Sequence, residues 1–306
     1  MKKFIIFSPP FDEIRGGAIV LHKLCHLINE LGGKAYLFPI FDNLEVNQLN
    51  YRDSFLKITR RHLRWLLKPY KTNPLFNTPV ISRLSSIPSF PNDWIVVYPE
   101  VTFGNPLNAK NIVRWLLHNP YAVKKKAYFV PGELQFKFHS YIDFEPFPLT
   151  KQSSQELLVF DFPSNYYNMD GVSTERSGTA YCLRKGRHRE IQHDLKNAIV
   201  IDGLPHKKVA EIFKRVERFV SYDSYTAYSR FAAICGCDSI VVPTEGTSIE
   251  QWRSDPNERY GIAYGFENIE WARSTTHLLQ ERIKQFETES SKNVKNFLAE
   301  CHLHFN

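Results

Sequence analysis

The sequence predicts an α/β protein built from two Rossmann-like domains that face a central cleft. Strand-like apolar runs alternate with helix-like segments over residues 1–150, and the same alternation begins again over residues 178–275. Such alternation is typical of βαβ units, in which a parallel sheet lies between layers of helices. The intervening segment, residues 151–177, contains many polar and turn-forming residues, and it is predicted to be an irregular linker.

The first predicted domain begins with a short strand and an amphipathic helix. KKFIIFS is a run of β-branched and aromatic residues typical of a buried strand, and GAIVLHKLCHLINELG follows it with helical periodicity and a closing glycine. Further strands are predicted for KAYLFPI, DWIVVYPE and KAYFVPG, and a helix for NAKNIVRWLLHN.

The second predicted domain repeats this pattern. Its strands are predicted in GTAYCLRKG, NAIVIDG, ERFVSYD and DSIVVPTEG, and its helices in PHKKVAEIFKRV and SYTAYSRFAAICG. The segment 276–306 continues a long run of helical character and is predicted to be a C-terminal helix.

Composition and charge limit the functional classes. The 306 residues are 43% hydrophobic and 23% charged, as in ordinary globular proteins, and the scattered cysteines have no zinc-site spacing. No apolar run reaches the length of a membrane span, and the N-terminus does not have the pattern of a secretory signal, so we expect a cytoplasmic location. A formal net charge of +7 favours an anionic partner, which can be nucleic acid, a membrane surface or a phosphorylated ligand.

A glycine pair lies between the first predicted strand and the first helix. Parallel sheets of this kind bind ligands at the carboxyl ends of their strands, so Gly16 and Gly17 are candidates for a binding site. Their backbone N–H groups would face the phosphates or sugar of a ligand at the N-terminus of the helix. The alternative is that these glycines only allow close packing of the helix on the strand.

A basic loop follows the first strand of the second domain. Arg184, Lys185 and Arg187 come directly after YCL, and Gly186 provides a turn. Cations at this place can neutralise a diphosphate leaving group. The alternative is a basic loop that is simply solvated.

Several of these segments resemble the GT-B glycosyltransferases. The strand–GG–helix opening and YPEVTFGNPLNAKNIVRWLLHNP are similar to the acceptor half, and YCLRKGRH with the segment from IDGLPHKK to VVPTEG is similar to the nucleotide-sugar half. The resemblance implies an acceptor-side domain over 1–150, a nucleotide-sugar domain over 178–275, and a terminal helix, 276–306, that crosses back to the first domain. It also implies transfer of a sugar from a nucleotide-activated donor, which is a substrate, with no cofactor. Since no Asp-x-Asp motif occurs, a metal-independent mechanism is expected.

The resemblance extends to the donor site. It implies that the segment SYDSYTAYSRFAAICG binds the donor through Asp223, Ser224, Tyr225 and Thr226. Asp223 or Ser224 can cap the helix and leave the next two amides to bind an anion, although capping alone also explains them. Many retaining members have two acids separated by seven residues here. Asp223 aligns with the first, whereas Phe231 occupies the second, and Glu245 is expected to serve in its place.

An inverting transferase requires a general base near the acceptor hydroxyl. The candidates in the first domain include Glu100, His118 and Asp12. Glu100 is the best placed, because the strand WIVVYPE delivers it to the carboxyl edge of the sheet. His118 closes a predicted apolar helix and is more typical of a helix cap. Retaining members lack an obvious base, so both stereochemical courses stay open.

A basic amphipathic helix is predicted in FLKITRRHLRWLLKPYK. Its cations recur at helical spacing on one stripe, opposite a leucine-rich face, and include Lys57, Arg60, Arg61, Arg64 and Lys68. This pattern suits docking on an anionic membrane surface, where a lipid-linked acceptor would be found. The alternative is a helix packed on the core with its basic stripe in solvent.

Three functional classes follow from these observations. The favoured one is a glycosyltransferase that extends a cell-surface glycan or a lipid-linked acceptor at the inner face of a membrane. The second is a non-catalytic sugar- or nucleotide-binding protein of the same fold, which the missing second acid keeps open. The third, a nucleic-acid-binding protein, is disfavoured because no recognition module is visible, and no nucleic acid is expected as a partner.

Overall fold

The computed structural model describes residues 2–40, 69–81, 93–120, 129–139, 142 and 147–306. The chain divides into two compact units. Unit 1 comprises Met1–Asp161 and Phe286–Asn306, and unit 2 comprises Phe162–Gln285. Each unit contains a parallel β sheet, so the predicted α/β class with two Rossmann-like units is confirmed.

Unit 1 is built around a six-stranded parallel sheet with the order β2-β1-β3-β4-β5-β6. The strands are β1 (Phe4–Ser8), β2 (Ala35–Pro39), β3 (Ile95–Pro99), β4 (Asn111–Leu116), β5 (Leu134–Lys137) and β6 (Lys151–Glu156). Helix α1 (Gly16–Glu30) connects β1 to β2. All five side chains of β1 are buried, as expected of a central strand that is covered on both faces.

The core of unit 1 follows the alternation of side chains along β1. Phe4 and Ile6 point to the face where Leu24 of α1 packs, whereas Ile5 and Phe7 point to the opposite face. Each face therefore has its own apolar cluster.

Unit 2 is built around a five-stranded parallel sheet with the order β11-β10-β9-β7-β8. Its strands are β7 (Thr179–Cys182), β8 (Ala198–Val200), β9 (Arg218–Ser221), β10 (Asp238–Val241) and β11 (Ile262–Tyr264). The helices are α2 (His206–Phe213), α3 (Tyr228–Ile234), α4 (Ile249–Trp252) and α5 (Ile269–His304).

The last helix belongs to both units. Its residues up to Gln285 are part of unit 2, and its residues from Phe286 are part of unit 1. In unit 1, Phe297 is fully buried, with its ring centroid 5.6 Å from that of Phe4 and 5.0 Å from that of Phe136. The end of the chain thus completes the core that the beginning of the chain starts.

The structure differs from the sequence-based expectation at several segments. The run NAKNIVRWLLHN contains strand β4 instead of a helix, because six consecutive apolar-rich residues fit a buried strand equally well. Lys151–Glu156, predicted to be irregular, forms the polar strand β6 at the edge of the sheet. In KAYFVPG, residues 129–132 are not a strand, and Leu134–Lys137 forms β5 directly after them. Strand β11 was not predicted.

Both sheets contain a topological switch point, at which the order of the strands in the sheet reverses; this position is called the switch of each unit. In unit 1, β1 lies between β2 and β3, and in unit 2, β7 lies between β8 and β9. The second and third strands of each unit therefore lie on opposite sides of its first strand, and such a reversal of strand order opens a crevice at the carboxyl ends of the strands. Ligands bind to open parallel sheets at this position.

Two further expectations concern membranes. The predicted basic helix with Lys57, Arg60, Arg61, Arg64 and Lys68 lies outside the described residues. In the described part of the chain, no helix combines the length and the apolar character required to cross a membrane.

Candidate functional site

Glu100 lies at the switch of unit 1, directly after β3. Its side chain is buried, with the residue 7% exposed, and Oε2 accepts a 3.1 Å hydrogen bond from the backbone N–H of Leu117, just after β4. Burial raises the pKa of Glu100 to about 7, against the opposing effects of that N–H, its own N–H and the Arg114 guanidinium. A carboxyl group that titrates near neutral pH is suited to accept a proton from a substrate.

The glycine pair forms the first residues of α1 and is not a separate turn. Helix α1 begins at Gly16, after Arg15 in an extended conformation. A Cβ at Gly16 would meet no described atom within 4 Å, and one at Gly17 would lie 3.7 Å from Cδ1 of Leu117. Packing among the described residues therefore does not require glycine at either position. The contact with Leu117 also places the start of α1 beside the residue that binds Glu100.

The other two candidate bases of unit 1, Asp12 and His118, are not buried as Glu100 is. Asp12 accepts a 3.1 Å hydrogen bond from Ile14 N and pairs with Arg15 Nε at 3.0 Å, so it braces its own loop. His118 is exposed and follows β4, so the prediction that it closes a helix is wrong.

Sequence reasoning missed a buried arginine that holds the loop after Glu100. Arg114 on β4 is fully buried, and its Nη2 lies 2.8 Å from Oε2 of Glu133 on one side and 2.8 Å from Gly104 O on the other. Its Nη1 donates to Thr102 O. The guanidinium therefore fixes the carbonyls of residues 102 and 104. The signal in the sequence was a single cation inside the apolar run IVRWLL.

The basic loop of unit 2 lies at the corresponding switch. Arg184–Gly186 forms a 3-10 turn directly after β7, and Arg184, Lys185 and Arg187 are exposed, as their interpretation as a binding loop requires. A Cβ at Gly186 would lie 2.0 Å from the carbonyl oxygen of Tyr222, which follows β9. Glycine is required at this position because the turn approaches the neighbouring loop so closely.

The structure brings Arg184 and Asp223 together. Nε of Arg184 lies 3.9 Å from Oδ2 of Asp223, and its guanidinium carbon is 5.4 Å from the centre of the Tyr228 ring. Asp223 is buried and Arg184 is 39% exposed. One face of this guanidinium is therefore supported by protein, while the group stays accessible to a ligand.

The prediction that the backbone amides of Tyr225 and Thr226 are left to bind an anion is wrong. Helix α3 begins at Tyr228, and Ala227 precedes it with no side-chain cap, so Asp223 and Ser224 do not cap this helix. The backbone N–H of Tyr225 instead donates to Asp223 Oδ1 at 3.2 Å, and that of Thr226 donates to Asp223 O. Both amides are therefore engaged within the loop.

The loops after β9 and β10 lie side by side. Oγ of Ser224 is 3.0 Å from Oγ1 of Thr244, and the exposed Glu245 follows directly. Glu245 is therefore on the same edge as Asp223. At the position of the second acid, the Phe231 ring stacks at 4.3 Å on that of Tyr167 and is buried. Phe231 is a core residue of unit 2.

Two further residues hold the loops of this edge together. Arg189 donates hydrogen bonds to Tyr222 O at 2.8 Å, to Val242 O at 2.9 Å and to Pro243 O, so it ties the basic loop to the loops after β9 and β10. Oδ2 of Asp202 accepts hydrogen bonds from the backbone N–H groups of Leu183 and Arg184. Asp202 directly follows a predicted strand and so fits the rule that identified the other candidates.

No metal site is visible in the described ranges. Among their His, Cys, Asp and Glu side chains, no group of three or more is placed to hold a metal ion. The absence of a metal requirement stays a prediction from the sequence.

Comparisons with known proteins gave structural similarity only. No protein-family model and no curated protein matches the chain. Among solved structures, the chain is similar to the spinosyn forosaminyltransferase SpnP, with 12% identity, 99% of this chain and 94% of that chain covered, and a TM-score of 0.37. It is also similar to MurG of Acinetobacter baumannii, with 9% identity, 96% and 95% covered, and a TM-score of 0.28. Both neighbours are GT-B glycosyltransferases, the type that the sequence resembles. At these TM-scores, the likeness assigns neither an activity nor a site to this chain.

Proposed function

We propose that the protein is a glycosyltransferase that moves a sugar from a nucleotide-activated donor to a glycan or lipid-linked acceptor. The observation that carries this proposal is Glu100, a buried carboxyl group with a pKa of about 7 at the switch of unit 1. The exposed cations Arg184, Lys185 and Arg187 at the switch of unit 2 support it. Inverting transfer from a nucleoside diphosphate sugar needs these two elements, a base for the acceptor and positive charge for the leaving group.

Unit 2 is proposed to bind the donor. Arg184, Lys185 and Arg187 neutralise the charge that develops on the diphosphate as its bond to the sugar breaks, and an arginine can hold phosphate oxygens with two parallel hydrogen bonds. Asp223 and Glu245 are proposed to accept hydrogen bonds from donor hydroxyl groups. Since these cations supply the positive charge, the reaction is proposed to be metal-independent, and EDTA should not change its rate.

Unit 1 is proposed to activate the acceptor. Glu100 takes the proton of the acceptor hydroxyl, whose oxygen forms a bond to the anomeric carbon. The bond from that carbon to the phosphate oxygen breaks, and its electron pair leaves with the diphosphate. This course inverts the anomeric configuration, which NMR of the product would test. Gly16 and Gly17 are proposed to allow close approach of the sugar to the start of α1.

The first experiment is a thermal-shift screen with UDP-, GDP-, ADP-, dTDP- and CMP-linked sugars. A ligand that binds only the folded state raises the melting temperature by mass action. We expect a shift with one nucleotide class that is lost in Arg184→Ala/Lys185→Ala. Lys292→Ala/Lys295→Ala, which removes two exposed lysines of α5, is the matched control for net charge and should retain the shift. No shift with any sugar nucleotide would contradict the proposal.

A non-catalytic binding protein is the second candidate, favoured by Phe231 in place of an acid. It predicts the same thermal shift without turnover. Measurement of nucleotide release with the donor that shifts the melting temperature separates the two classes, because only the enzyme hydrolyses or transfers the sugar. In that assay, Glu100→Gln should keep donor binding and lose turnover.

Docking on the cytoplasmic face of a membrane is proposed for the segment with Lys57, Arg60, Arg61, Arg64 and Lys68. Its basic stripe would bind anionic headgroups, each cation contributing about 1 kcal/mol near the surface. Sedimentation with phosphatidylglycerol vesicles and with phosphatidylcholine vesicles tests this. Equal binding to both, or to neither, would contradict it.

A further inference from the structure

Asp202 makes an unusual pair of contacts at the switch of unit 2. It lies just after β8, and its Oδ2 accepts hydrogen bonds from the backbone N–H of Leu183 at 3.0 Å and from that of Arg184 at 3.2 Å. Both donors belong to the chain that leaves β7. One carboxylate oxygen thus ties the end of β8 to the start of the basic loop.

The residue held in this way has a strained backbone. Arg184 has φ of +41°, in the left-handed region that residues other than glycine rarely adopt. Such a conformation persists only where surrounding contacts hold it, and it concentrates at functional sites. In this loop, the contacts are the two hydrogen bonds to Asp202, the close approach of Gly186 to Tyr222 O, and the three hydrogen bonds of Arg189.

The charge of Asp202 opposes the function of the loop it holds. A carboxylate beside Arg184 and Lys185 lowers the positive potential that attracts an anion. If charge were its only effect, its removal would improve anion binding. A negative group here is explained instead by geometry, since it accepts two backbone hydrogen bonds where they fix the direction of Arg184.

From this geometry we propose that Asp202 is a positioning residue, which locks the Arg184 turn in the form that binds the donor diphosphate. The inference rests on the proposed function and deepens it. Asp202 itself does not touch the ligand. Its contribution depends on the place of one oxygen atom and not on its negative charge.

Two substitutions separate position from charge. Asp202→Asn keeps an oxygen at the same place and removes the charge, whereas Asp202→Glu keeps the charge and moves the oxygen by one methylene. We expect Asp202→Asn to bind inorganic pyrophosphate within about threefold of the wild type, and Asp202→Glu to bind it about tenfold more weakly, the size of one lost hydrogen bond to a charged group. Calorimetric titration of the full chain measures both.

Asp194 supplies the matched control. It lies exposed in the loop between β7 and β8, and its Oδ1 accepts a 2.8 Å hydrogen bond from Lys196 N. Asp194→Asn and Asp194→Glu make the same chemical changes away from the Arg184 turn. Neither should alter pyrophosphate binding.

Amide hydrogen exchange of the wild-type protein tests the contact without any substitution. The Arg184 N–H should exchange at least about tenfold more slowly than in an unstructured peptide, because it is hydrogen-bonded to Asp202. An unprotected Arg184 amide would overturn the inference, even if a variant failed to fold.

The outcomes distinguish this inference from the proposed function. Asp202→Glu binding as well as the wild type, Asp202→Asn losing as much as Asp202→Glu, or a wild type that does not bind pyrophosphate would each overturn the inference. The expected order of variants with pyrophosphate, together with no binding of any nucleotide sugar, would support the Asp202 contact and overturn the proposed function alone.

Discussion

At the residue scale, Glu100 controls the expected pH dependence. A general base must be deprotonated, and burial raises the pKa of this carboxyl to about 7. We therefore expect kcat/KM to rise with pH, to be half-maximal near pH 7 and to level off about one pH unit higher. Glu100→Gln should lower kcat by about 10²- to 10⁴-fold and remove this rise. A profile centred near pH 4 would show that the catalytic carboxyl is another one.

The same pKa shift has a consequence for stability. A carboxyl whose pKa is raised on folding stabilises the protein below its unfolded pKa, and this contribution is lost as the pH rises through the folded pKa. Between about pH 4.5 and pH 7, the wild type should lose up to about 3 kcal/mol relative to Glu100→Gln, which does not titrate. Urea unfolding of both proteins at several pH values measures the difference. A constant difference across this range would contradict the assignment.

Arg114 and Glu133 should be strongly coupled. Both side chains are fully buried, so removal of one partner leaves an uncompensated charge. We expect Arg114→Leu to lower the free energy of unfolding by about 3–5 kcal/mol and the double replacement Arg114→Leu/Glu133→Leu to cost less. A double-mutant cycle by urea unfolding measures the coupling. Additive losses would show that the two side chains are independent.

At the element scale, replacement by alanine should lower the stability of the protein at Gly186 but not at Gly16. Gly186→Ala places a Cβ against Tyr222 O and should cost about 1–3 kcal/mol, whereas Gly16→Ala meets open space at the start of a helix and should change stability by less than about 1 kcal/mol. Thermal unfolding compares them. If Gly16→Ala nevertheless lowers activity, the glycine serves the ligand and not the fold. Equal stability losses would contradict this distinction.

Most of the described elements could be predicted because their signals were local. α1 and α5 have helical periodicity, and β1 is a short β-branched and aromatic run followed by turn-forming residues. β4 was misassigned because IVRWLL has no periodicity. Its arginine, Arg114, can be buried because its charge is paired with that of Glu133, which lies 19 residues later in the chain. β6 could not be predicted from KQSSQE, since an edge strand with one buried side chain has no apolar pattern.

The candidate site was predictable in the same partial way. Glu100 and the Arg184 loop follow from the rule that polar residues after strands line the carboxyl edge. The rule could not show that the backbone N–H groups of Tyr225 and Thr226 are hydrogen-bonded to Asp223, because this depends on where α3 begins. The same rule also selects Asp202, but its contact with Arg184 could not be predicted, because it depends on the pairing of β7 with β8.

At the scale of the whole molecule, the two units should differ as isolated fragments. Unit 2 is one continuous segment, so a fragment of residues 162–285 should fold with a cooperative thermal transition. A fragment of residues 1–161 lacks Val294, Phe297 and Cys301, which pack in its core, and should bind the dye ANS through exposed apolar surface. Addition of a peptide of residues 286–306 should reduce the ANS signal. A compact 1–161 fragment that does not bind ANS would contradict this expectation.

The return of the last helix to unit 1 has a consequence for the order of events on the ribosome. Phe4 leaves the exit tunnel early, but its partner Phe297 is translated almost 300 residues later, after the whole of unit 2. At a synthesis rate of about 5–20 residues per second, the apolar surface around β1 stays uncovered by the last helix for about 15 seconds or longer. Unit 2 can therefore fold before the core around β1 is complete, and we expect the uncovered apolar surface of nascent unit 1 to be prone to aggregation during this interval.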